Sequence, residues 1–196
     1  FISAGFGPEK QGVNPRIDIT IPKKLTHGKS VIVKDNGPGL SIDELEKMVK
    51  AGWTSKSHFD TLGLFGMGFN IATARLGMVT TVWTTRKEDD EWVGVEIDLD
   101  RLIKERTFVT EQLTRPKIER GESGTEVNVS KLKPETTKWF SKSPSRLRLK
   151  NNLARAYASI LEGGNSQLTK IKVYFNNEYL KPYKFCVWGN PNDGPD

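Results

Sequence analysis

Cysteine is nearly absent. Cys186 stands alone in 196 residues, which excludes an internal disulfide and a cysteine-rich metal site. Histidine is almost as scarce: His27 and His58 are the two in the chain, and both sit in polar, loop-like contexts that suit a bystander better than a phosphoacceptor. No apolar run approaches the ~18 residues needed to span a membrane. The opening FISAGFGPEKQG has neither the charged nor the apolar block of a signal peptide. These absences lead us to expect an intracellular chain, cytoplasmic or nuclear, with no membrane partner. The first residue is Phe rather than Met, so a fragment of a longer protein is expected.

Acidic charge is in the minority. Thirty Lys and Arg against 24 Asp and Glu leave a net charge of +6 and a pI near 9.3. That balance serves solubility or attracts an anionic partner. The basic residues gather in KWFSKSPSRLRLKNNLAR, residues 138–155, where a helix would carry Arg146, Arg148, Lys150 and Arg155 and leave Leu147, Leu153, Tyr157 and Leu161 for packing. DNA is a partner that such a helix could contact. A hydrophobic share of 36% with 28% charged residues fits a globular domain rather than a disordered chain.

Periodicity orders the chain. RIDITIPKK (16–24) alternates as a strand does, and KSVIVKDN (29–36) reads as a second, more buried one. SIDELEKMVKAG offers a helix with Ser41 as N-cap and Glu44 in the capping-box position, stopped near Gly52. WTSKSHFDTLGLFGMG reads as a loop, and FNIATARLG as a short helix closed by Gly77. MVTTVWTT and EWVGVEIDL are strands joined by the turn RKEDDE, and TEVNVSKL is another strand. A long helix after Pro144 and a strand in KIKVYFNNEYL, with an Asn-Asn turn, complete the pattern. The expected order is β-β-α-loop-α-β-β followed by β-α-β, a sheet with helices on one face.

Three glycine-bearing stretches punctuate this order. In DNGPG (35–39) the residues suit a tight turn, yet a carboxylate at a strand end can also accept a hydrogen bond from an exocyclic amine, with Gly37 and Gly39 clearing space for a flat ring. In GLFGMGF (63–69) repeated glycine before a helix exposes backbone N–H groups beside a helix N-terminus, an arrangement that can cradle phosphate oxygens. It fits neither the dinucleotide fingerprint nor the P-loop. In SGTEVNV, Gly124 and Thr125 open a strand, and a Thr hydroxyl can bridge through water to a base edge.

Taken together and in order, DNGPG, GLFGMGF and the Gly-Thr pair resemble the nucleotide-binding domain of the GHKL ATPases, the superfamily of DNA gyrase, the ninety-kilodalton heat-shock chaperone, histidine kinases and MutL. Within it the likeness is greatest to the microrchidia (MORC) ATPases: AGWTSKS resembles their short segment after the first helix, and GLFGMGFNIATARLG resembles their second glycine box. The resemblance implies an α/β fold, a two-layer sandwich of a mixed, largely antiparallel sheet with helices on one face, of the Bergerat type that binds ATP with Mg2+. It implies that Asp35 accepts from the adenine amino group, that Gly37 and Gly39 shape the pocket wall, and that Thr125 joins Asp35 through an ordered water. It assigns phosphate binding to Gly63, Gly66, Met67, Gly68 and Phe69, and a lid to the loop holding Ser55 and Lys56. A nucleotide-dependent homodimer is expected on the same ground.

The resemblance also implies a helix before the first strand, with a Glu that activates water and, four residues later, an Asn or Asp that holds magnesium. Residues 1–15 contain only Glu9 and Asn14, five apart and interrupted by Gly12, so that helix is expected to be missing and neither a catalytic nor a metal-binding residue is assigned. Residues 16–180 are expected to form the ATP-binding domain and 181–196 a tail or linker. Two other readings stand beside this one: a nucleic-acid-binding module whose nucleotide site is degenerate, and a histidine kinase catalytic domain.

Overall fold

RIDIT and VIVKD form the first two strands, β1 (Arg16–Thr20) and β2 (Val31–Asp35), antiparallel with Ile17 opposite Asp35 and Ile19 opposite Val33. The computed structural model describes residues 14–22, 28–49, 68–106, 111–162 and 170–184. The capping box forms as expected: the backbone N–H and hydroxyl of Ser41 both donate to Glu44 Oε2 at 2.8 Å, and Ser41 Oγ accepts from the Glu44 N–H at 3.3 Å. Helix α1 (Ile42–Val49) follows and buries Leu45 to 1% exposure. Those bonds hold the Glu44 carboxyl below its ordinary range, the backbone N–H of Ser41 contributing most. Glu44 therefore stabilises the fold above its unfolded pKa, and that contribution fades as pH falls through the lowered folded value. Ser41→Ala should cost about 1 kcal/mol in a urea melt, the usual loss for an N-cap.

Helix α2 (Gly68–Leu76) runs directly into β3 (Gly77–Thr85), and a charged turn leads to β4 (Glu91–Asp98). The next elements depart from the expected order. Asp98 ends β4 and caps helix α3 (Leu99–Glu105), its Oδ1 accepting from the N–H groups of Asp100 at 3.0 Å and Arg101 at 3.2 Å. Leu99 therefore begins a helix rather than ending a strand. A short strand β5 (Gln112–Pro116) then pairs with β4 at the sheet edge. Its terminal Pro lacks a ladder donor, which an edge strand tolerates. Strand β6 (Gly124–Leu132) and helix α4 (Pro134–Ser141) follow. Helix α5 (Ser143–Ala156) has Pro144 in its first turn, and α6 (Ala158–Glu162) extends it after a break at Tyr157. The Asn-Asn turn joins β7 (Lys172–Phe175) to β8 (Glu178–Tyr179), both asparagines having positive φ.

Among the described residues, eight strands make one sheet in the order β5-β4-β3-β6-β2-β1-β7-β8. Of these strands only β1 and β7 pair in parallel among the described residues, the other pairings being antiparallel. The apolar residues of one sheet face lie under the helices. Leu45 packs on Val82, Val95, Val127 and Val129; Ala154 and Leu161 pack on Ile17 and Val173; Phe140 packs on Ile21, Val31 and Phe175. This is the mixed, largely antiparallel two-layer α/β sandwich anticipated from the sequence. The opposite face is built from cations laid on rings: Arg115 lies 4.5 Å from Trp83 and 4.8 Å from Trp92 while pairing with Glu126 at 2.9 Å, and Lys34 pairs with Glu122 at 3.1 Å.

The topology decides where the site lies. Strand β6 enters the sheet between β3 and β2, so its first residues reach the end of β2 from 90 residues away in sequence. Register carries Thr84 beside Thr125, and Lys34 beside Glu126. Thr84, Thr125 and Asp35 thus occupy the helix-covered face at one end of three neighbouring strands.

Candidate nucleotide-binding site

Asp35 is the last residue of β2, half-buried where the chain turns into Asn36-Gly37-Pro38-Gly39. Its Oδ1 accepts two backbone hydrogen bonds, from the N–H of Gly37 at 2.8 Å and from the N–H of Thr125 at 3.2 Å. Among the described residues no hydrogen bond reaches Oδ2. Burial pushes the Asp35 pKa above the ordinary carboxylate value, and the two N–H groups act against that push by favouring the charged form. The result is a carboxylate whose one oxygen is fixed by the backbone and whose other oxygen has no donor among the described residues.

The glycines around it serve chain packing as well. Gly39 has φ of +77°, and a Cβ there would fall 2.1 Å from the carbonyl oxygen of Thr85. Gly124 has φ of +144°, and a Cβ there would fall 2.1 Å from the carbonyl oxygen of Asp35. Both positions exclude any larger residue before a ligand is considered. Gly37 is buried and provides one of the two N–H groups on Asp35. Thr125 is 5% exposed and touches Asp35 directly through its backbone N–H.

Two contributors were given no role of their own from the sequence. Thr84, 2% exposed, accepts from the Leu40 N–H at 2.7 Å and donates to the Gly124 carbonyl at 3.3 Å. Asn36 ties the turn to the chain ahead of β1: its Oδ1 accepts from the Arg16 N–H at 2.7 Å, its Nδ2 donates to the Asn14 carbonyl at 2.9 Å, and its own N–H donates to the Arg16 carbonyl at 3.2 Å. Asn14 thereby takes part through its backbone oxygen.

Of the residues assigned to phosphate, Gly68 and Phe69 open helix α2. The N–H groups of a helix's first turn have no intrahelical acceptor. Among the described residues, a Cβ built on Gly68 meets no atom within 4 Å. The Phe69 side chain packs against the Leu45–Val82 cluster, and its carbonyl accepts from Thr73 Oγ1 at 3.0 Å. Gly63, Gly66 and Met67, like the lid residues Ser55 and Lys56, lie outside the described residues, as do Glu9, His27 and His58. Among the described residues no group of three or more His, Cys, Asp or Glu side chains could hold a metal ion, and no magnesium ligand is assigned.

The basic helix is largely committed to its own chain. Arg146 donates to the Phe140 carbonyl, Lys150 pairs with Glu178 at 2.5 Å, and the Arg155 guanidinium lies 4.4 Å from the Tyr183 ring. Arg148 is exposed, as are Lys138 and Lys142 on α4 and its C-cap. No helix among the described residues is long and apolar enough to cross a membrane.

Comparison with known proteins places this geometry in a family. A stretch of 65 residues, 33% of the chain, is 33% identical to the protein MICRORCHIDIA 4 of Arabidopsis thaliana and covers 8% of it. A stretch of 55 residues, 28% of the chain, is 36% identical to MICRORCHIDIA 3 of the same plant and covers 9% of it. The matched stretches thus span less than a tenth of either relative. The model of the histidine kinase-, DNA gyrase B- and HSP90-like ATPases matches residues 13–136, from just before β1 into α4 and more than half of the chain. The chain belongs to that family of ATPases, with a likeness to its microrchidia members.

Proposed function

We propose that residues 16–180 form a domain that binds ATP with magnesium, and that Asp35 accepts a hydrogen bond from the adenine amino group. The observation that carries this reading is the Asp35 carboxylate, one oxygen held by the N–H groups of Gly37 and Thr125 and the other accepting nothing from the described residues. Gly37, Gly39 and Thr125 would line the base. Gly63, Gly66, Met67, Gly68 and Phe69 would present backbone N–H groups to the phosphates, with Ser55 and Lys56 in a lid over them. Magnesium would screen the phosphate charge, and this chain's part would be to hold and orient the nucleotide. Strands β7 and β8 lie beyond the family match yet complete the same sheet, which supports a domain reaching residue 180, with 181–196 as a tail or linker.

In the complete protein, bound ATP would drive lid closure or dimerisation, followed by slow hydrolysis. Action on DNA is part of the reading. The net charge of +6 and the exposed Arg148, Lys138 and Lys142 support it, whereas Arg146, Lys150 and Arg155 would first have to leave their present partners. An intracellular location follows from the same proposal.

Calorimetric titration of ADP and a non-hydrolysable ATP analogue, with and without magnesium, tests the reading. Binding by this chain is expected. Gly68→Val should fold, because its Cβ meets no atom of the described residues within 4 Å, yet lose most phosphate-dependent affinity because the phosphates would approach the backbone there. Wild-type affinity in that variant would remove Gly68 from the cradle. DNA binding that ignores ATP and survives Asp35→Ala would instead favour a nucleic-acid module with a degenerate nucleotide site.

A further inference from the structure

The hydroxyl of Thr84 sits where a valine would fill the same volume. Thr84 is 2% exposed on β3, on the same face as the buried Val82. Unlike a methyl group, the hydroxyl acts in both directions at once. It accepts from the Leu40 N–H at 2.7 Å and donates to the Gly124 carbonyl at 3.3 Å. Leu40 closes the turn that begins at Asp35, and Gly124 precedes the Thr125 whose N–H holds Asp35 Oδ1. The turn also leans on β3 next to Thr84, where Gly39 leaves no room for a side chain beside the Thr85 carbonyl.

We propose that Thr84 is a positioning residue for nucleotide binding: its buried hydroxyl clamps the 36–40 turn to the start of β6 and so presets the distance between Asp35 and Thr125. This rests on the proposed adenine role of Asp35. Thr84 touches no ligand in this scheme. It spares the ligand the ordering of a loose turn, because a prearranged site binds more tightly than one that must be fixed on binding. Removing the hydroxyl while keeping the volume takes the acceptor from the half-buried Leu40 N–H and one donor from the buried Gly124 carbonyl.

The test uses this chain with Thr84→Val, Thr84→Ser and Asp35→Asn, titrated with ADP and, separately, with pyrophosphate, alongside amide hydrogen exchange. Thr84→Val should bind ADP roughly tenfold more weakly, the effect of about one good hydrogen bond, with pyrophosphate affinity unchanged. Its Leu40 amide should exchange faster while the amides of Val82 and Val127 stay slow. Thr84→Ser should return ADP affinity to within about threefold of wild type, since it keeps the hydroxyl. Unchanged ADP affinity in Thr84→Val would overturn the proposal, and so would parallel losses for ADP and pyrophosphate, which mark general loosening. A fast-exchanging Leu40 amide in the wild-type chain would overturn it without any variant. If wild type and Asp35→Asn bind ADP equally, the adenine reading itself fails and this inference falls with it.

Discussion

Gly124→Ala should lower stability by at least about 3 kcal/mol, combining left-handed backbone strain with a steric clash. The added methyl would fall 2.1 Å from the Asp35 carbonyl oxygen and 3.2 Å from the Asn36 Cα. Both belong to backbone and cannot swing aside as the end of a flexible side chain would. Relief requires the start of β6 to part from the end of β2, which moves the Thr125 N–H away from Asp35 Oδ1. Chemical denaturation should show the lowered midpoint, and any fraction still folded should have lost nucleotide affinity. Gly68→Ala is the control. It also adds one methyl to a glycine of the proposed site, but one that meets no atom of the described residues within 4 Å, and should leave the denaturation midpoint nearly unchanged.

Asp35→Asn should separate stability from binding. In the wild-type chain burial raises the Asp35 pKa, so the folded state holds that proton more tightly than the unfolded chain does. Ionisation therefore penalises folding, and the penalty appears as pH rises from the unfolded pKa through the raised folded one. An asparagine keeps a carbonyl for the N–H groups of Gly37 and Thr125 without the buried charge. The variant should melt above wild type near neutral pH, with the gain shrinking as the pH falls toward about 4. Binding should move the other way. With the amide oxygen fixed by those two N–H groups, the NH2 takes the place of Oδ2 and presents a donor where an amine needs an acceptor. ADP affinity should fall by about 10- to 100-fold, the loss expected for a hydrogen bond to a charged group. A variant that binds like wild type would remove Asp35 from the base-recognising role. Such an exchange of stability for function is common where a site holds a desolvated charge.

What the sequence disclosed was chemistry confined to short stretches. The capping box at Ser41 and Glu44 needs residues three apart, and it formed as read. The DNGPG and Gly-Thr stretches each suit an ordinary turn or strand start, and only in order with GLFGMGF did they resemble a nucleotide site. Their meeting was a different matter. That β6 lies between β3 and β2 is a property of the sheet, and only the family resemblance joined residues 35 and 125. Gly39 and Gly124 stood in those stretches, but what excludes a side chain at each, a backbone carbonyl 2.1 Å from an added Cβ, depends on strands that are remote in sequence. Thr84 was one threonine of several in TTVWTT and carried no mark of its hydroxyl's two partners.

The elements overlooked were hidden by neighbours. Helix α3 begins immediately at the end of β4, so its first leucine continued the strand's apolar alternation; the Asp98 cap was the available signal. Strand β5 has five residues and ends in Pro116, which argues against a central strand and is compatible with the edge position it occupies. Helix α4 lay in a stretch read for its charge, although Pro134 is well suited to a helix's first turn. Charge itself was legible on α5 but its use was not, since the partners Glu178 and Tyr183 lie well beyond the helix.

Changing the ligand rather than the protein tests the proposed reading of an exocyclic amine by Asp35 without any variant. Inosine diphosphate keeps the sugar and both phosphates of ADP but carries a carbonyl where adenine has its amino group. Titrated into the unmodified chain, ADP should bind at least about 100-fold more tightly, because the carbonyl would face the carboxylate oxygen with no proton between them. Equal affinities for the two nucleotides would contradict the claim.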